Sequence, residues 1–98
     1  MYLLIDIQGQ LSLEDHDNMK GFSIIDNSNP SNHGALLAIA SPGEENHYWI
    51  NIKSVIELSP KANDEDWLIA FSKMLKSAAP YGFVDMDKNL IKAHIENH

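Results

Sequence analysis

The sequence predicts a small α+β fold, in which a mostly antiparallel sheet of about four to six strands packs one face on a main helix at residues 63–78. Before Pro60, the apolar residues occur in short, strand-like runs. After it, they recur at helical spacing and stop at the sequence Pro-Tyr-Gly. A chain of 98 residues has room for one hydrophobic core, so we assign residues 1–98 to a single domain.

The first third of the chain contains two predicted strands. Residues 2–7 predict the first, because apolar side chains occupy most positions on both of its faces. Ser12 lies three residues before Asp15, a weak helix-start pattern that predicts a turn or two of helix. Residues 22–25 predict the second strand, and the Asn-, Ser- and Pro-rich residues 26–34 predict a loop.

The middle of the chain predicts a strand hairpin. Residues 34–41 contain an apolar run that fits either a helix or a strand, and we favour a buried strand. Residues 42–46 predict a hairpin loop, and residues 47–58 predict the next strand, with a bulge near Val55. The alternative for the second half of this strand is a helix with Ile52, Val55 and Ile56 on one side.

The segment 63–78 has three independent helix signals. Asn63 is a favourable N-cap, acidic residues fill the first turn, and lysines lie near the end, where the helix dipole favours them. An apolar stripe repeats at helical spacing and consists of Trp67, Phe71, Met74, Leu75 and Ala78. We expect this stripe to pack on the sheet.

The C-terminal segment predicts a closing hairpin, with a helix as the alternative. Phe83 and Val84 begin it, and apolar residues alternate with polar ones at 91–96. The loop between them places Asp85, Asp87, Asn89 and Glu96 at the ligand spacing of an EF-hand calcium loop. The sixth position of that loop requires glycine and is leucine here, so we predict a polar turn and no metal site.

Composition excludes several classes of function. The net charge is −7, and the seven basic residues are all lysine, so the arginine forks that grip phosphates are missing. We therefore expect no nucleic-acid partner. Cysteine is absent, the N-terminus lacks a basic signal-peptide region, and no apolar window is long enough for a membrane span. We expect a cytoplasmic protein with no membrane contact and no cofactor.

One group of residues is a candidate partner-binding surface. If residues 47–53 form a strand, alternation places His47, Trp49, Asn51 and Lys53 together on one face. A tryptophan among polar side chains on an uncovered face is typical of recognition surfaces. The alternative is that the 63–78 helix covers this face and Trp49 belongs to the core.

Three functions follow from these observations. The first is a non-catalytic, acidic interaction or accessory protein that docks on a basic protein, similar to an inhibitor or antitoxin. An uncovered face or edge of the sheet would also suit a homodimer. The second is a small-molecule pocket between sheet and helix. Its expected lining consists of Trp49, Trp67, Phe71 and Tyr81. The third is an enzyme with His47 or His94 as the general base.

Overall fold

The computed structural model describes residues 1–97 and contains seven strands in one sheet. The strands are β1 Tyr2–Ile5, β2 Leu11–Glu14, β3 Ser23–Asp26, β4 Ala40–Pro42, β5 His47–Asn51, β6 Val84–Asp85 and β7 Leu90–Asn97. The helices are α1 Gly34–Leu37, α2 Ile52–Leu58 and α3 Glu65–Ala78, and α3 runs into a 3-10 turn at Ala79–Tyr81. The predicted α+β class is confirmed, with more strands than the four to six expected.

The sheet is mixed, in the order β2-β1-β3-β7-β5-β4. The pairs β1–β3 and β3–β7 are parallel, and the others are antiparallel. The short strand β6 pairs with the start of β7, where Val84 lies opposite Ile91. Strand β3 pairs with the end of β7, where Ser23 lies opposite His94. Strand β5 pairs along one edge of β7. Strands β3 and β6 therefore share the opposite edge of β7, with a gap between them.

The two faces of the sheet have different surroundings. One face carries the fully buried Leu3, Ile5, Ile24 and Ile50. These side chains form one cluster with residues from all three helices, so the helices cover this face. On the opposite face, which we call the open face, no residue of the seven strands is buried within the part of the chain for which burial is described, residues 1–96. The sheet is therefore covered on one side only.

Helix α3 anchors the helical layer. Asp64, not Asn63, is its N-cap, and the Asp64 side chain accepts a hydrogen bond from the Trp67 amide at 3.1 Å. Trp67 and Phe71 are buried and stacked, with ring centroids 5.0 Å apart. The Trp67 indole N–H donates to the His16 carbonyl at 2.7 Å, which satisfies the one polar atom of this side chain. Each buried aromatic ring stabilises the fold by about 1.5–3 kcal/mol.

Three predicted elements are wrong. Leu11–Glu14 is a strand, where Ser12 and Asp15 predicted a helix start, because its backbone pairs with β1. The predicted strand at 34–41 is the short helix α1 followed by β4. The predicted strand at 47–58 ends at Asn51, whose side chain caps α2 by accepting from the Ser54 amide at 3.1 Å. The helical alternative for that half is correct: Ile52 and Val55 are buried.

Both predicted hairpins are present. In the β4–β5 loop, the Gly43 amide donates to the His47 carbonyl at 2.9 Å, and Asn46 adopts a left-handed conformation with φ of 55°. In the β6–β7 loop, the Asp85 carboxylate accepts from the backbone amides of Asp87 and Lys88, each at 3.0 Å. Glu96 lies six residues beyond Leu90 on β7, about 20 Å along the strand, so it cannot share a calcium ion with Asp85.

Candidate functional site

The predicted partner-binding residues divide between two elements. His47, Trp49 and Asn51 alternate with the buried Ile50, so they lie together on the open face, as the alternation predicted. The helices pack on the other face, and Trp49 is half-buried, so it does not belong to the core. Lys53 is not part of this group, because the strand has ended and Lys53 is an exposed residue of α2.

The two histidines proposed as general bases lie side by side on the open face. His47 lies opposite His94 in the β5–β7 pair, and their ring centroids are 5.2 Å apart. The Nδ1–H of His47 donates to the Glu45 carbonyl at 2.6 Å. The Nδ1 atom of His94 is 3.9 Å from the Glu96 carboxylate. His47 is half-buried and His94 is exposed, so the pair faces solvent.

A groove of about 660 Å³ opens where β3 and β6 leave their gap beside β7. One wall is α3 with the turn that follows it, and the other is the segment 19–22 that leads into β3. Ile91 on β7 closes the bottom between them. The large apolar side chains of its lining are Met19, Phe22, Met74, Tyr81, Phe83 and Ile91. Tyr81 and Phe83 are exposed, at 79% and 48% of their surface, so the groove rim is unusually apolar.

The groove corresponds only in part to the aromatic pocket that the sequence predicted. It lies between sheet and helix, as expected, and Tyr81 lines it. Trp67 and Phe71 are instead buried in the core, where they stack on each other. Trp49 lies on the open face. The other groove residues come from distant parts of the sequence, and no local pattern identifies them as neighbours.

Lysines border the groove from both walls. Lys20 comes from the segment before β3 and Lys73 from α3, and both are exposed. Neither takes part in an ion pair within residues 1–97. Lys92 also borders the groove, but its ammonium nitrogen lies 5.8 Å from the centre of the Trp49 ring, on the open face. We call Lys20 and Lys73 the lysine rim.

A polar cluster surrounds the buried carboxylate of Asp26, at the opposite end of β3 from the groove. Asp26 is only 4% exposed and accepts a hydrogen bond from the Ser28 amide at 2.9 Å. Its other carboxylate oxygen lies 2.7 Å from the Nε2 atom of His33. Burial alone would raise the pKa of Asp26, but the hydrogen bonds from Ser28 and His33 outweigh it and hold that pKa below its usual value.

The cluster has the residue types of a Ser-His-Asp triad but not its geometry. Ser31 Oγ lies 3.3 Å from His33 Nε2, the same nitrogen that contacts Asp26. A catalytic triad requires serine and aspartate on different ring nitrogens. The other nitrogen, Nδ1, faces the Tyr48 hydroxyl at 3.5 Å. The cluster therefore fixes the loop 27–33 and does not activate a serine.

No metal centre or membrane span is found in residues 1–97. Within this range, no group of three or more histidine and carboxylate side chains is arranged to hold an ion. No helix there is long and apolar enough to cross a bilayer. No protein family matches the sequence, and no curated protein or solved structure is significantly similar to it.

Proposed function

We propose that this protein is a non-catalytic binding protein that holds a small, largely apolar molecule in the groove beside β7. The observation that carries the proposal is an open concavity lined by Met19, Phe22, Met74 and Phe83. Apolar surface of this kind is unfavourable in contact with water. The free energy falls when a ligand covers it.

The dimensions and chemistry of the groove suit such a ligand. Its volume of about 660 Å³ is in the range of small-molecule sites, about 300–1,000 Å³. Methionines on two walls, Met19 and Met74, provide flexible and polarisable contacts that adapt to different shapes. Tyr81 and Phe83 add aromatic rings at the rim, where a bound molecule can stack.

A dye-binding assay with a groove-filling variant tests the proposal. The neutral dye Nile red brightens in apolar sites, and we expect one dye per chain to bind saturably. A side chain at Gly21, which borders the groove, would meet no atom within 4 Å at its Cβ, so Gly21→Phe fills the groove without a backbone clash. We expect it to weaken binding by about tenfold or more, because it occupies the apolar contact surface.

The matched control is Ser72→Phe, which adds the same ring on an exposed position of α3 outside the groove. It should leave dye binding unchanged. Equal binding by the wild type and Gly21→Phe would contradict the proposal, as would dye uptake that never saturates. Circular dichroism of each variant shows whether its fold is retained.

The open face favours a second function, docking on a basic protein. This face presents Trp49 and His47, both half-buried, beside the exposed Asn51, and the chain has a net charge of −7. A tryptophan that can be desolvated by a partner is a typical centre of an interface. The negative charge would attract a positively charged protein. This function uses a different surface from the groove, so the two are compatible.

Capture from a lysate of the native host, followed by identification of the bound proteins, tests this second function. We expect one basic protein to be retained at low salt and released by about 0.5 M NaCl, where charge interactions are screened within a few ångströms. Trp49→Ala should abolish its capture, whereas Ile69→Ala, at an exposed apolar position of α3, should not. Capture that survives both high salt and Trp49→Ala would overturn this second function.

A further inference from the structure

We infer that the molecule held in the groove is an anionic amphiphile, with an apolar body on the groove walls and a carboxylate at the lysine rim. The inference rests on the proposed function and adds the charge of the ligand to it. The basis of the inference is that Lys20 and Lys73 line one apolar concavity from its two opposite walls.

The rim lysines are not neutralised by the protein itself. Asp17, the acidic residue nearest to Lys20 in sequence, forms an ion pair with Lys61 at 3.1 Å. On α3, the positions three and four residues from Lys73 are Ile69, Ala70, Lys76 and Ser77, none of them acidic. In a chain with twice as many acidic as basic residues, two unpaired lysines at one groove are a notable local excess of positive charge.

This combination selects for one class of ligand. A cationic ligand would be repelled by the rim, and a neutral apolar ligand would gain nothing from it. A carboxylate would accept charge-assisted hydrogen bonds from either ammonium group while its chain stays on Met74 and Phe22. Because the net charge of −7 repels anions at long range, the preference must arise from contact at the rim and not from steering.

Displacement of Nile red by two matched ligands tests the inference. Decanoate and 1-decanol have the same chain length and differ in the charge of the head group. We expect decanoate to displace the dye from the wild type at about tenfold lower concentration than decanol, since hydrogen bonds to charged groups strengthen binding. The double variant Lys20→Gln/Lys73→Gln should lose this preference and keep its affinity for decanol.

A control with the same change in net charge is Lys53→Gln/Lys76→Gln, at two exposed lysines that do not border the groove. It should keep the preference for decanoate. Equal displacement by both ligands, or loss of the preference in both double variants, would overturn the inference while the proposed function stands. Failure of the dye and both ligands to bind would refute the proposed function as well.

Light scattering separates a second copy of the chain from a small ligand as the occupant. We expect the wild type and Gly21→Phe to have the same molar mass. A wild-type dimer that dissociates in Gly21→Phe would assign the groove to the partner copy and overturn the inference.

Discussion

Replacement of Asp26 by asparagine should destabilise the fold in a pH-dependent manner. The buried carboxylate accepts from the Ser28 amide at 2.9 Å and faces His33 Nε2 at 2.7 Å. Asparagine keeps one acceptor oxygen for Ser28 but removes the charge that faces His33. A hydrogen bond to a charged group contributes about 1.5–3 kcal/mol, so we expect Asp26→Asn to lower the free energy of unfolding by about 2 kcal/mol at pH 7.

The pH dependence has a definite sign. The pKa of Asp26 is lower in the folded protein than its usual value, so the ionised form favours folding. Its contribution is therefore complete above the unfolded pKa of about 3.9 and is lost as the pH falls through the folded pKa. Wild type and Asp26→Asn should differ most at neutral pH and converge in strong acid.

Urea unfolding at a series of pH values, followed by tryptophan fluorescence, measures this difference. In a domain of this size, a loss of 2 kcal/mol lowers the melting temperature by about 8–16 °C. Asp17→Asn is the control, because its carboxylate is exposed and pairs with Lys61 and His16 at the surface. It should change stability by under about 1 kcal/mol. Equal stability of Asp26→Asn and the wild type at pH 7, or a difference that persists unchanged into strong acid, would refute the reasoning.

Two further stability predictions concern the two tryptophans and the glycines. Trp67→Ala should lower the free energy of unfolding by about 3–5 kcal/mol, because it empties a core position. Trp49→Ala on the open face should lower it far less, and the urea midpoints of the two variants measure the difference. Gly82 has a left-handed φ of 83°, so Gly82→Ala should lower the free energy of unfolding by about 1 kcal/mol. Gly21 does not have a left-handed φ, so Gly21→Ala should have no such effect. Similar melting temperatures for both glycine variants would contradict this prediction.

The elements that could be predicted from sequence are those fixed by local interactions. The α3 helix has its cap, charges and apolar stripe within residues 64–78, and the hairpin loop at 42–46 contains its own turn residues. Residues 52–58 are ambiguous in sequence, because Ile52, Ile56 and Leu58 also fit strand alternation. The Asn51 side chain caps the helix by accepting a hydrogen bond from the Ser54 amide. That hydrogen bond requires a backbone turn between the two residues, which an extended strand does not have.

The groove could not be predicted, because its walls are distant in sequence. Residues 19–22, 70–83 and 91–92 meet only because β3 and β6 occupy the same side of β7. That arrangement requires a parallel pairing between strands some seventy residues apart, which no short-range pattern specifies. The position of Trp49 on the open face could be predicted, because neighbouring residues of a strand point to opposite faces and Ile50 is buried.

The residues that respond to a bound ligand distinguish the groove from the open face. Backbone amide spectra of the ¹⁵N-labelled wild type, recorded during titration with decanoate, report each residue separately. Ligand binding in the groove predicts saturable shifts at Gly21, Lys73 and Phe83, which border it, and unchanged signals at Trp49 and Asn51 on the open face. Shifts confined to the open face, or no shifts at any decanoate concentration below its aggregation limit, would contradict it.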